Sequence, residues 1–103
     1  MQSSYKFLEL YANTTNKRER LYLIKNAKKD NILAIIEIVL NTLTGIIKVD
    51  SNIIQKLYTH KHLYRKLVRY NSLNWKQARQ IISTPRNEVA IHKLIKLTLH
   101  ILI

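Results

Sequence analysis

The chain contains no cysteine. This excludes a disulfide framework, thiolate metal sites such as zinc fingers, and cysteine nucleophiles, and it agrees with a reducing compartment. Glycine and proline occur once each, as Gly45 and Pro85. A β-sandwich or barrel of this size needs many tight turns built from those residues, so the turn supply fits helices. An apolar run long enough to cross a membrane is missing too. The longest uncharged apolar stretch, Ile38 to Ile47, is about half of the ~20 residues that a helical membrane span requires. The start, MQSSYKFLELYANTTNKRER, lacks an uninterrupted apolar core with a small-residue cleavage site, so no secretory signal is expected and the location is read as intracellular. Acidic residues are scarce: six Asp and Glu face eighteen Lys and Arg, a formal net charge of +12. Such self-repulsion is relieved by an anionic partner, with nucleic acid first among the candidates and DNA ahead of RNA.

What is present fits one small folded unit. The 103 residues, 47% of them hydrophobic, suffice for one modest core but not two, so residues 1–103 are read as a single all-α domain. Tyr5, Leu8, Tyr11 and Ala12 recur at helical spacing over residues 3–12. Asn16 and Glu19 have capping-box spacing, and Leu21, Ile24, Ala27 and Lys28 follow, which predicts a helix over about 17–28. Asp30 is expected to cap, and Gly45 to end, a helix whose sequence NILAIIEIVLNTLT is apolar around most of its circumference. The expected architecture is therefore about five helices around this central apolar helix, 30–44.

After an extended connector at Ile46–Val49, Asp50 or Ser51 is expected to cap a helix reaching about Tyr70. Ile53, Leu57, Tyr64, Leu67 and Val68 share its packing face, and His62, Arg65, Lys66 and Arg69 its outer one. A polar break at 71–74 lets Asn74 cap a short helix with Trp75, Ala78, Ile81 and Ile82 inward and Lys76 and Arg79 outside. Thr84 and Pro85 form an N-cap and first-turn pair for a last helix containing Val89, Ile91, Leu94, Ile95 and Leu99. Its apolar end, LTLHILI, is either buried or a docking tail.

The main functional signal is the interval between Asp50 and Glu88, which holds no acidic residue but carries Lys56, Lys61, Arg65, Lys66, Arg69, Lys76, Arg79 and Arg86. These eight are the candidate nucleic-acid-binding residues, since unopposed cations on successive helices neutralise phosphates and release counterions. A solvated helical face is the plainer alternative, weakened because the i,i+4 acidic partners that stabilise such faces are missing. Tyr58, Tyr64, Tyr70 and Trp75 interleave with the cations; base stacking is one role, but core packing is expected for Tyr64 and Trp75. Asn74, Gln77, Arg79 and Gln80 are residue types that read base edges, yet no sequence specificity is predicted from so ordinary a composition. His60 and His62 point ~200° apart on a helix and cannot share a metal there. His92 and His100 are expected to bond to a neighbouring group. With scattered carboxylates and no phosphate-cradling glycine loop, neither an enzyme nor a cofactor is expected.

Arg18, Arg20 and Leu21 on an amphipathic helix, then Asp30 and Ile32, then Glu37 with Asn41, Leu43 and Gly45, then a cationic helix about Leu57, His60 and Leu67, form an order of parts over about two-thirds of the chain. This order resembles small basic proteins encoded by Polinton, Maverick and adintovirus-like elements. This chain departs from them in having Ile and Asn after Gly45 and in ending LTLHILI rather than in a Gly-rich tail. The resemblance implies a product of a large DNA virus or integrated element, in the host nucleus or the virion, associated with DNA or internal to the particle; it transfers no functional residue. The rival class is a helical assembly module, joining a homo-oligomer or virion partner through the apolar C-terminal helix. Attachment to an anionic membrane surface through basic helices is a third, weaker reading.

Overall fold

Helical periodicity organises everything that the computed structural model describes, which is residues 2–44 and 60–102, with side chains from 4 to 44 and 60 to 99. These residues contain six helices and no strand: α1 (Gln2–Asn13), α2 (Lys17–Lys25), α3 (Lys29–Leu43), α4 (Lys61–Leu67), α5 (Trp75–Ile82) and α6 (Pro85–Leu102). The expected connector at 46–49, the Asp50 or Ser51 cap, the role of Gly45, and Ile53, Lys56, Leu57 and Tyr58 lie outside the described residues.

On α1 the buried stripe is Ser4, Leu8, Tyr11 and Ala12. Tyr5, expected on that face, is exposed, because it sits ~100° around the helix from Ser4. Asn16 accepts from the Glu19 amide at 3.1 Å and starts α2. This helix stops at Lys25, short of the expected 28; there Asn26 donates to the Tyr22 carbonyl from both its backbone N–H and its side-chain amide, and the Ala27 amide turns to the nearer Ile24 carbonyl. In α3, Lys28 rather than Asp30 occupies the cap position, in extended conformation and with no side-chain bond. Asp30 falls in the first turn, where its charge faces the positive end of the helix dipole.

Ile32, Ile35, Ile36, Ile38 and Val39 of α3 are buried, while Asp30, Glu37, Leu40 and Thr44 form an exposed stripe. The helix packs against α1, α4, α5 and α6; in turn α6 packs against α1, α2, α3 and α5. The two thus share the interior. Tyr64 and Leu67 bring α4 onto α3, and Ala78 and Ile82 anchor α5. Ala90, Ile91, Leu94, Ile95 and Leu99 of α6 are all buried. Its described apolar residues are therefore already committed to the core, with Leu97 half-buried, and an assembly role for this helix finds no free face in Leu94 or Leu99. The radius of gyration, 12.4 Å, is close to the ~13 Å of a compact 100-residue domain.

A polar cluster fastens the ends of the fold together. Glu88 is fully buried on α6 and takes a salt bridge from Arg20 Nε of α2 at 3.0 Å. Tyr11 of α1 donates its hydroxyl to the same carboxylate. Arg20 also donates from Nη1 to the Thr15 carbonyl at 2.8 Å, which pins the α1–α2 loop. His92, one turn beyond Glu88, stands edge-on to the Tyr11 ring, and its Nε2 lies 3.2 Å from the Ala12 carbonyl. A carbonyl only accepts, so this nitrogen carries the proton and His92 is the donor. Burial, and next the Arg20 charge, lower the His92 pKa, while Glu88 opposes them; burial first, then the Glu88 bond and charge, raise that of Tyr11.

Removing one member of a buried pair strands the other, so Glu88→Ala is expected to cost about 3–5 kcal/mol. Tyr11→Phe, which removes one donor and keeps the ring, is expected to cost about 1–3 kcal/mol. Chemical denaturation measures both. Because folding depresses the His92 pKa, its neutral form contributes stability that is complete above the ordinary value of 6.5 and is lost as pH falls through the folded-state value. Thermal melts from pH 7.5 to 5 should show this decline, and His92→Gln, which keeps an N–H donor but cannot titrate, should show less of it.

Candidate nucleic-acid interface

Two short helices and the turn between them position most of the candidate cations. Tyr64 and Leu67 face the core from α4, which leaves Arg65 and Lys66 exposed on its last turn, with Arg69 exposed just beyond. Cations there also suit the negative end of the helix dipole. The side chains of these three make no hydrogen bond or ion pair with another described residue, and neither do those of Lys76 and Arg86, which are exposed in the first turns of α5 and α6. Lys61 is half-buried and engaged in an interaction of its own, whereas Lys56 lies outside the described residues.

Arg79 departs from expectation. It is half-buried rather than outside, its Nη1 donates to the Ala27 carbonyl at 3.1 Å, and its guanidinium lies 4.9 Å from the centre of the Trp75 ring. The side chain thus ties α5 to the end of α2 and is spent on structure. This weakens α5 as a reader of base edges, since its exposed polar residues are then Lys76, Gln77 and Gln80. Trp75 and Tyr70 are half-buried against the core, and Tyr64 is buried with a hydroxyl that has no partner among the described residues. Burial pushes the Tyr64 pKa up to about 12.

The turn joining α4 to α5 is built by two asparagines. Asn74 Oδ1 accepts from the Asn71 amide at 2.7 Å, and Asn71 Oδ1 accepts from the Leu73 amide at 2.8 Å. The Asn74 side chain therefore serves the turn before it, instead of the helix amides it was expected to cap. Similarly, the Thr84 hydroxyl donates back to the Ile81 carbonyl at 3.1 Å. Between Arg69 and Lys76 this turn presents Leu73 with 92% of its surface exposed.

Further exposed cations lie outside the acid-free interval between Asp50 and Glu88. Arg79 meets the chain at Ala27, directly before exposed Lys28 and Lys29, and Lys25 is exposed one turn earlier. The run from Lys25 to Asp30 was the available signal, masked by its carboxylate. On α6, Lys93 and Lys96 are exposed and follow Arg86 at near-helical spacing. Glu88 was missed as well. Its signal was an acid sharing the apolar stripe of Ile91, Ile95 and Leu99.

Among the described residues no three His, Asp or Glu side chains stand together as a metal ion would require, and no helix is long and apolar enough to cross a membrane. Comparison with protein-family models, curated proteins and solved structures finds no match to this chain.

Because Arg79 bonds the backbone and packs on an aromatic ring, Arg79→Ala is expected to cost about 1–2 kcal/mol and to change the fluorescence of Trp75, the sole tryptophan. Lys76→Ala, at an exposed site 5.9 Å from the same ring, should stay within about 0.5 kcal/mol. Thermal melts followed by fluorescence separate the two.

Proposed function

We propose that this protein is a non-enzymatic nucleic-acid binder that holds the phosphate backbone, DNA before RNA, through the cationic surface of residues 60–102, without reading base sequence. One observation carries the reading. After Asp50 the sequence has a single acidic side chain, Glu88, and it is buried and paired with Arg20. The described surface from 60 onward therefore exposes Arg65, Lys66, Arg69, Lys76, Arg86, Lys93 and Lys96 with no acidic side chain among them. Phosphates approaching it meet attraction with no like-charge penalty, and the counterions they release drive association. Arg65, Lys66 and Arg69 form the centre, Lys76 and Arg86 extend it, Lys61 precedes it on α4, and Arg79 supports it through Ala27 and Trp75.

Packaging or coating of DNA suits such a backbone-directed surface. The resemblance to the small basic proteins of Polinton-like elements points the same way, to DNA in a virion or a host nucleus.

Titration into labelled duplex DNA, single-stranded DNA and RNA at several salt concentrations tests the proposal, with mass followed by light scattering. The logarithm of affinity for duplex should fall linearly with the logarithm of salt, at roughly −0.9 per phosphate held. Arg65→Ala, Lys66→Ala and Arg69→Ala are exposed replacements that should leave the melt unchanged and flatten the slope by about 0.9 for each contact removed. Absence of binding at low salt, together with a defined oligomer, would overturn the reading in favour of the assembly module.

A further inference from the structure

The outward face of α2 is the second feature that carries chemistry. Ile24 and the adjoining Ala27 are buried and Arg20 is turned to Glu88, so the helix exposes the opposite side. There Lys17, Arg18, Leu21, Tyr22 and Lys25 line an open depression of about 470 Å³. Tyr22 is 67% exposed, far more than a tyrosine kept only for packing. Arg18 lies one turn before it and Lys25 one turn after, about 10 Å apart along the axis. At 100° per residue these three fall within about 60° of one another, with Leu21 and Lys17 at one edge and Glu19 at the other. The side chains of Lys17, Arg18, Tyr22 and Lys25 make no hydrogen bond, ion pair or ring contact with another described residue.

We infer that this face is a binding site for single-stranded nucleic acid, in which an unpaired base stacks on Tyr22 while Arg18 and Lys25 hold the phosphates on either side. An exposed ring offers any base a flat partner, and flanking cations track the backbone; together they select single strands, because bases stacked within a duplex present no free face. Glu19 confines the strand to the Lys17 side. The inference rests on the reading of the chain as a nucleic-acid binder, but uses residues separate from the Arg65, Lys66 and Arg69 surface.

The test measures Tyr22→Ala and Tyr22→Phe against oligothymidylate and against duplex DNA at one low salt concentration, beside a variant with Arg65, Lys66 and Arg69 all changed to Ala. Tyr22 is exposed, so both replacements should melt with the parent protein. Tyr22→Ala is expected to weaken oligothymidylate binding tenfold or more, Tyr22→Phe to retain it, and neither to change duplex affinity. Parental single-strand affinity in Tyr22→Ala would overturn the site; if the triple variant still lost duplex affinity, the broader reading would survive. Loss in Tyr22→Phe as well, or equal loss on duplex, would overturn stacking as the mechanism. If the parent protein bound neither nucleic acid, both proposals would fall together.

Discussion

A carboxylate deprived of water must be matched by donors, and Glu88 is matched from two directions at once. Arg20 arrives from α2 and Tyr11 from α1, while Glu88 itself rides on α6. Three helices are held in one relation because the cost of leaving that charge unpaired is several kcal/mol. A close-packed set of apolar residues would stabilise the fold equally well. What the polar cluster adds is direction: hydrogen bonds fix angles that Leu and Ile contacts leave free. It also removes the last acidic side chain from the surface beyond residue 60, so the interaction that orders the interior also sets the sign of the exterior.

Helix existence was legible in the sequence because the apolar stripes repeat strongly, as at Ile91, Leu94, Ile95 and Leu99. Helix ends were less so. Asp30, Asn74 and Thr84 are all residue types that cap helices, yet each does something else here. A side chain of that kind bonds whichever backbone group lies nearer, and the choice between the turn behind and the helix ahead depends on dihedral angles that composition does not encode. Asn16, by contrast, caps as its spacing to Glu19 implied.

The candidate site was legible to the extent that exposure follows helical phase. Arg65, Lys66 and Arg69 are exposed since Tyr64 and Leu67 claim the other side of α4. Arg79 also had an outward phase, but a long side chain can bend along the surface to a carbonyl it finds there, and Ala27 lies 52 positions away in sequence. No periodicity reports such a contact. The α2 face escaped for a related reason: its cations are mixed with Glu19 and Asp30 in the sequence, and only folding shows which of them share a side with Tyr22.

The pairing of α1 with α6 has a consequence in time. Tyr11 and Glu88 are 77 positions apart, and Ala12 and His92 80. A ribosome adding ~5–20 residues per second delivers the two partners several seconds apart. During that interval α1, α2 and α3 can form their backbone hydrogen bonds, but Arg20 has no carboxylate to meet and Tyr11 nothing to donate to. The final packing of the interior is therefore not a progressive event that follows synthesis from one end. It waits for α6, and α1, made before the other described helices, is among the last of them to be locked in place.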